Sequence, residues 1–383
     1  REQLDKCLDA LTKLIDVILA KANEHIETIA VGHTHVQQAM ILSYGYILSS
    51  HVCVLQRCFK RILQARDDYN FSPLGASAIA GNSMDTDRAF VAKLTGFDGI
   101  QDHAHDAISN HDNVLNIVSS LTILYSQYSR MAEDLILSCS TEFSTITISD
   151  AFAMGSSMMP NKKNPGCIER VRGNTGIIYG DLMNIFTVIK GTPVGYNRDC
   201  HSNKTVLENT VKLVIDTTNL LAGVFDSIEI HTDRMRQLAD NSFATATEFA
   251  NYLVTHHDIP FRETHHIVGG VVGDLSLEKK TFLDKQRTQE LLADRGIKIS
   301  DQDYDAYLTP AGSLYNYKSA GSANPSEAAR MIQDMVNKNA DNKEQLQQRV
   351  NQVNNARKQA QQIVDLITKE NQSVQSAVNA VSQ

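Results

Sequence analysis

The sequence predicts a predominantly helical protein, and three observations carry that prediction. In residues 3–30, apolar side chains recur at the three- and four-residue spacing of an amphipathic helix, for example Leu4, Leu8 and Leu11. The same periodicity returns over residues 113–140, and alternating strand patterns are scarce throughout. A chain of 383 residues with this pattern fits two or three domains or one elongated helical body.

The composition limits the classes of partner. Hydrophobic residues make up 42% of the chain, enough for a sizeable core. The net charge is −8 with no long basic block, so nucleic acid is not expected as a partner. No apolar run approaches the roughly 18 residues of a membrane span, so no membrane partner is expected either. The six cysteines include no C-x-x-C pair, which indicates reduced thiols and predicts a cytoplasmic protein.

Two groups of closely spaced histidines lie in the first half of the chain. Gly32 ends the first helical pattern, and His33 and His35 precede an apolar-rich helical segment that runs to about Leu63. A metal site would need further ligands at fitting spacing, so these two residues alone favour surface or capping roles. Residues 101–112 carry a second cluster of histidines and aspartates, and this cluster invites a metal hypothesis.

The segment Gly155–Pro165 concentrates groups that suit an anionic substrate. Gly155 allows a wide range of φ, whereas Pro160 and Pro165 discourage helix, so a mobile loop is predicted. The loop carries hydroxyl, ammonium and amide groups, and a helix is predicted to start just after it. Backbone N–H groups at such a helix start favour carboxylates. The alternative is a Gly/Pro loop with solvated lysines.

The second half continues with helical patterns over residues 168–189 and about 201–226, separated by a turn. Shorter elements are predicted over 228–320. From Ser326 the composition shifts to Gln, Asn, Ala and Val, with a weak heptad of apolar positions: Leu346, Val353, Ala360, Ile367, Val374 and Val381. This pattern predicts a terminal helix that docks on a partner, with disorder as the alternative.

The Gly155–Pro165 string resembles the signature G-S-S-x-M-P-x-K-x-N-P of the fumarase/aspartase superfamily, with every fixed position present. We call residues 155–165 the signature loop. Further strings resemble the argininosuccinate lyase family and extend the resemblance over roughly residues 1–325: Val171-Arg172-Gly173, Tyr179 to Met183, Lys190 to Asn197, Ser242 to Leu253 and Ile259 to Arg262.

This resemblance implies an all-α fold, a long-helix bundle with a small C-terminal helical domain. We therefore expect a central helical domain over 1–227 with a catalytic loop at 150–166, a small helical domain over 228–325, and a helical or flexible tail over 326–383. The family also implies a homotetramer whose active sites are shared between subunits. It implies no cofactor and no metal, with residues 101–112 as a structural and substrate-side loop. The N-terminal domain of the family is expected to be missing from this chain.

The resemblance also implies the catalytic residues. Ser156 matches the general base, which its surroundings must ionise because a free serine is a poor base. His35 matches the general acid or the group that places one. Glu169 matches the carboxylate that orients this histidine, a pairing that would raise the histidine pKa.

The substrate contacts follow in the same way. Lys162 and Asn164 match residues that hold the succinyl carboxylates, and Thr34 would help them. Tyr196 and Lys204 match further substrate contacts. His201 is counted with them, although it lies in a segment, 201–203, that differs from the family pattern.

Two other departures stand out. Gly166 replaces an acidic residue of the family, and the prolines that usually follow Gln37 are absent. The changes at Gly166 and 201–203 lie toward the amine end of the substrate.

The predicted reaction is a β-elimination that cleaves argininosuccinate, a dicarboxylate amino acid, to arginine and fumarate, as in arginine biosynthesis. Two alternatives stay open. One is a lyase for another N-succinyl amine, and the other is an inactive member with a structural role, like the lens crystallins.

Overall fold

In the computed structural model, which describes residues 1–370 and 372–382, long helices form an extended bundle. Each of these helices has 23 to 27 residues: α1 (Glu2–Glu24), α2 (Tyr44–Asp68), α5 (Asp112–Ser138), α6 (Gly166–Ile189) and α7 (Asn203–Ser227). The predicted all-α, long-helix bundle is confirmed. The helices predicted at 113–140, 168–189 and 201–226 lie within two residues of the observed bounds.

Short elements join and flank these helices. The strands are β1 (Ile29–Thr34), β2 (Gln37–Ser43), β3 (Phe71–Ser72), β4 (Gly99–Ile100), β5 (Ile146–Thr147), β6 (Met154–Gly155), β7 (Lys163–Asn164) and β8 (Glu229–Ile230). The short helices are α3 (Arg88–Leu94), α4 (Ala104–Ser109), α8 (Thr232–Asp240), α9 (Ala246–His257), α10 (Phe261–Leu277), α11 (Lys285–Ala293), α12 (Asp301–Tyr307) and α13 (Pro310–Tyr315). The strands pair β1 with β2, β5 with β8 and β6 with β7 as antiparallel pairs, and β3 with β4 as a parallel pair.

Successive long helices run in alternating directions, so their connections collect at two ends of the bundle. One end, which we call the hairpin end, holds residues 25–43, 139–165 and 228–231. The other, the distal end, holds residues 69–111 and 190–202. Contacts support this assignment, because Arg1 at the start of α1 donates to the carbonyl of Gly96, and His231 binds the carbonyl of Ser144.

The bundle core combines aliphatic side chains with buried tyrosines. Leu11 and Leu14 of α1 and Phe59 of α2 are fully buried. On α5, the hydroxyls of Tyr125 and Tyr128 lie 3.0 Å and 2.7 Å from threonine hydroxyls of α7, so these polar groups are satisfied inside the core. Apolar burial at helical spacing explains why the periodicity of the sequence located these helices correctly.

Residues 25–43 differ from the predicted pattern. The first helix was predicted to reach residue 30 but ends at Glu24, and β1 and β2 then form an antiparallel hairpin that the sequence did not predict. Glycine is required at position 45 beside the last turn of α1, because a Cβ there would lie 2.1 Å from the carbonyl oxygen of Ala22. The backbone N–H of Gly45 donates to His25 O at 2.8 Å, so the start of α2 closes directly on the end of α1.

A second apolar cluster lies outside the bundle. Helices α9 to α12 surround it with Phe249, Leu253, Val271 and Tyr304, each at most 2% exposed. This cluster falls inside the region for which a small helical domain was predicted. The limits of that domain, 228–325, stay a prediction.

The tail forms the 45-residue helix α14 (Pro325–Lys369), followed by α15 (Val374–Ser382). Among the heptad positions, Leu346 and Val353 are buried. The surface under them belongs to the same chain, since Asn339 Nδ2 donates to Thr12 O at 3.0 Å and Arg349 pairs with Asp67 of α2. The helix predicted to dock on a partner therefore packs on its own bundle. In the part of the chain that the structure describes, no helix is long and apolar enough to cross a bilayer.

Candidate functional site

The signature loop projects from the hairpin end of the bundle. Strands β6 and β7 pair antiparallel at its base, with Gly155 opposite Lys163, so the residues between them form a protruding tip. Within this tip, Ser156 Oγ accepts hydrogen bonds from the backbone N–H groups of Met158, at 3.3 Å, and Met159, at 3.0 Å. Donors aimed at an oxygen favour its negatively charged form, so this turn suits a serine that must ionise.

The two adjacent lysines of the loop have different surroundings. Lys163 Nζ lies 2.6 Å from Asp150 Oδ1, and this hydrogen-bonded ammonium group lowers the pKa of the Asp150 carboxyl. Lys162 is exposed at the tip, and Asn164 is half-buried in β7. Of these two lysines, Lys162 is therefore the one whose ammonium group is available to an incoming carboxylate, and its role in substrate binding stays a prediction.

Helix α6 begins directly after the loop. Ile168 and Glu169 donate their backbone N–H groups to Pro165 O, and the Glu169 carboxylate is exposed in the first turn. Gly166, which replaces an acidic residue of the family pattern, is covered by Met154. A Cβ at Gly166 would lie 2.3 Å from Met154 Sδ, so a larger residue there would displace this side chain.

Thr34 and His35 lie at the tip of the β1–β2 hairpin, where both side chains are exposed. His35 and Val36 form the two-residue turn with φ values of 52° and 60°. Positive φ at both positions matches the turn that the right-handed twist of a hairpin prefers, but a β-branched residue adopts it only with strain. Below the tip, the ring of His33 packs edge-to-face on Phe143, with centroids 5.8 Å apart.

Tyr196, His201 and Lys204 lie at the distal end. All three side chains are exposed, and Lys204 Nζ is 3.9 Å from Glu208 Oε1 on the next turn of α7. The 24 residues of α6 separate this group from the signature loop, a length of about 36 Å. One chain therefore does not bring these three residues together with Ser156.

The nine predicted site residues thus fall into two groups within one chain. Thr34, His35 and the four residues of the loop region lie at the hairpin end, and the other three lie at the distal end. In the described residues, no side-chain hydrogen bond or ion pair joins any two of the nine. The predicted pairing of Glu169 with His35 is accordingly not made inside one chain.

The histidine cluster at 101–112 belongs to the distal end. His103 caps α4, since its Nδ1 accepts from the backbone N–H of Asp106 at 3.3 Å. His105 lies beside Gly195, in the same segment as Tyr196. Across the described ranges 1–370 and 372–382, no three His, Cys, Asp or Glu side chains are arranged to hold a metal ion.

Two residues that contact the segment before the signature loop were not predicted from the sequence. His231 and Arg234 hydrogen-bond to the backbone of residues 142–144, which lead toward the signature loop. They lie about ninety positions from residues 142–144 in the chain, so no local spacing could link them to this segment. His231 directly precedes α8, but its side chain forms no capping hydrogen bond with that helix.

The chain is similar to known lyases over most of its length. A family model described as Lyase matches residues 1–180, and one described as Argininosuccinate lyase C-terminal matches residues 243–315. The argininosuccinate lyases of Geobacillus sp. (strain WCH70) and Anoxybacillus flavithermus are each 37% identical over 333 residues, covering 87% of this chain and 72% of each relative. The structure of EDDS lyase in complex with formate matches with a TM-score of 0.88 at 25% identity, covering 100% of this chain and 76% of that chain.

Proposed function

The chain belongs to the argininosuccinate lyase family of the fumarase/aspartase superfamily and is a lyase, and we propose that it cleaves the carbon–nitrogen bond of argininosuccinate to give arginine and fumarate. The observation that carries this proposal is the loop geometry at Ser156. A serine hydroxyl held by two backbone N–H donors, next to an exposed lysine, suits proton abstraction beside a carboxylate.

The reaction begins with removal of a proton. Ser156 Oγ, as the alkoxide, takes the proton from the carbon next to a carboxylate of the succinyl group. The electron pair moves into that carboxylate and forms an aci-carboxylate with a second negative charge. The Lys162 ammonium group and the Asn164 amide stabilise this charge, while Thr34 binds a succinyl carboxylate.

The second step breaks the carbon–nitrogen bond. The electron pair of the aci-carboxylate then forms a new double bond between the deprotonated carbon and the carbon that carries the nitrogen. The nitrogen leaves with the electron pair of the broken carbon–nitrogen bond. His35 donates a proton to that nitrogen, so arginine departs neutralised at the cleaved position and fumarate remains. Glu169 from a neighbouring copy would orient His35 and keep it protonated.

A complete site needs more than one copy of the chain. The hairpin-end and distal-end groups are separated by the length of α6, so we propose a homotetramer with shared active sites. The exposed face of α6 suits such packing, because Ile177 and Met183 are 55% and 61% exposed and the space beside Gly173 is open. Apolar side chains around small residues allow close approach of another helix.

The identity of the amine is the finer part of the proposal. The departures at Gly166 and at residues 201–203 lie toward the amine end, and EDDS lyase is among the similar structures. A lyase for another N-succinyl amine is therefore the second candidate. All six cysteines are free thiols, which supports a cytoplasmic location. The proposed reaction would serve arginine biosynthesis there.

The test is release of fumarate, followed by its ultraviolet absorbance, with argininosuccinate and with a panel of other N-succinyl amines. We expect turnover of argininosuccinate with a kcat of roughly 1–10 per second, typical of enzymes. If the protein releases fumarate only from another N-succinyl amine, argininosuccinate is not its substrate, but the proposed mechanism stands. No fumarate from any member of the panel would contradict the proposed activity and favour a structural role.

A further inference from the structure

The segment before the signature loop is held from outside by two side chains. We call residues 142–147 the loop entrance. Arg234 Nε donates to Phe143 O at 3.0 Å, and Arg234 Nη2 donates to Glu142 O at 3.0 Å. A third bond joins Arg234 to Gln237 on the next turn of α8, which fixes the guanidinium group. One planar group thus binds two successive carbonyls of the loop entrance.

His231 binds the loop entrance at three more positions. Its Nδ1 lies 2.9 Å from Ser144 O, and its backbone N–H donates to Thr145 O at 2.9 Å. A carbonyl oxygen only accepts, so Nδ1 carries a hydrogen. In the neutral ring Nε2 then accepts from the Thr147 hydroxyl, 3.0 Å away. The β5–β8 pairing continues these contacts, with Thr147 opposite Glu229.

The backbone of the loop entrance needs such support. Ser144 has a φ of 51°, in the left-handed region that a residue with a side chain rarely adopts. Its N–H is bound to Ser140 O at 2.7 Å, and its carbonyl is bound by His231. A conformation of this kind persists only where the surroundings impose it, and His231 supplies one side of that restraint.

The loop entrance also lies beside two other segments of the hairpin end, the β1–β2 hairpin and the base of the signature loop. The Phe143 ring packs on His33 of the hairpin, two residues from His35. On the other side, Thr147 and Ile148 share a cavity of about 140 Å³ with Lys163 and Pro165 at the base of the signature loop. A shift of the loop entrance would therefore disturb the packing of the β1–β2 hairpin and of the base of the signature loop.

We propose that His231 and Arg234 are positioning residues that clamp the loop entrance, so that the signature loop closes over the substrate from a fixed base. The proposal deepens and rests on the proposed function. A loop that carries the base must move, but the segment it moves from must not, because a displacement of about 1 Å at the reacting atoms can cost 100-fold in rate.

The kinetic test compares His231→Ala with His231→Asn. Alanine removes both ring contacts, so we expect kcat to fall about tenfold while KM stays within about twofold, because the groups that bind substrate remain. Asparagine restores an N–H donor toward Ser144 O and should recover most of the rate. His266→Ala, an exposed histidine on α10, is the matched control and should leave kcat unchanged.

The second measurement is amide hydrogen exchange over residues 139–165, which requires no substrate. The clamp predicts faster exchange in His231→Ala there, with unchanged exchange in α1 and α2 and wild-type exchange in the control. Should His231→Ala not fold, Thr147→Val removes only the hydroxyl that donates to Nε2, and a kcat loss of about threefold is expected.

These two measurements separate the clamp from the activity. Unchanged exchange in His231→Ala, or faster exchange with unchanged kcat, overturns the clamp. An Asn variant as slow as the Ala variant also overturns it. If the wild-type protein releases no fumarate from any N-succinyl amine, the proposed function fails, and the exchange of residues 139–165 alone then decides whether His231 holds the loop entrance.

Discussion

At the residue scale, the surroundings of the Ser156 hydroxyl decide whether it can act as a base. Two backbone N–H groups point at its oxygen, and the start of α6 and the Lys162 ammonium group lie in the same loop region. Each of these favours negative charge on the oxygen. Closure of the loop would remove water and strengthen all of them.

Ser156→Ala should abolish turnover, with kcat reduced by roughly 1,000-fold or more, because the base of the reaction is removed. Circular dichroism and the oligomeric state should not change, since the side chain lies in a protruding loop. Ser157→Ala, its exposed neighbour, is the matched control and should keep most of the activity. An Ser156→Ala protein of unchanged rate would remove Ser156 from the mechanism.

The site residues of the signature loop could be predicted from the sequence because the signature positions lie within one short segment of the chain. The sequence also distinguished Lys162 from Lys163 in role, and the structure shows Lys163 paired with Asp150. It could not show that Met154 covers Gly166, since that contact depends on the pairing of β6 with β7. Contacts across a folded loop leave no regular spacing in the sequence.

At the element scale, the hairpin is the part of the fold that periodicity missed. The helical pattern of residues 3–30 continues past Glu24, but α1 ends there and the start of α2 packs closely on its last turn at Gly45. The strands then pack Val31 and Ile41 inward, against Ala239 of α8 and Leu314 of α13. Tertiary packing therefore overrides local helix propensity in this segment.

Val36→Gly should stabilise the protein by about 0.5–1 kcal/mol, because glycine adopts the left-handed conformation without the steric cost of a β-branched residue. The lost Val36 side chain is 65% exposed and contributes little burial. The midpoint of urea unfolding measures the effect.

Gln38→Gly, in the neighbouring strand, is the control for this change. It should destabilise the protein by about 0.5–1 kcal/mol, since glycine weakens a strand. A Val36→Gly protein that loses as much stability as the control would show that the turn is not strained.

At the scale of the whole molecule, the antiparallel path of the long helices divides the site residues between two ends. Ser156 and Lys204 flank α6, one near its start and the other beyond its end. Residues about 36 Å apart cannot act on one small substrate, so their joint action requires different copies of the chain.

Co-expression of a Ser156→Ala chain with a Lys204→Ala chain tests this division. Each variant alone should be inactive or nearly so. In mixed oligomers assembled at random, a site receives both intact groups in about a quarter of cases, so about a quarter of the wild-type rate should return. A chain carrying both substitutions, assembled alone, is the inactive control. If mixed oligomers stay as inactive as their parents, the site lies within one copy.

The sequence by itself determined the helical fold and the family, because helical periodicity and the signature motif are both short-range patterns. The positions of the long helices follow from the periodicity, and the prediction of Ser156, Lys162 and Asn164 as site residues follows from the family resemblance of the motif. Only the tertiary structure decided that Tyr196, His201 and Lys204 lie at the far end of the bundle. It alone placed His231 and Arg234 on the loop entrance and packed α14 on α1. These relations join residues far apart in the chain, and they depend on the direction and length of whole helices, which no local pattern records.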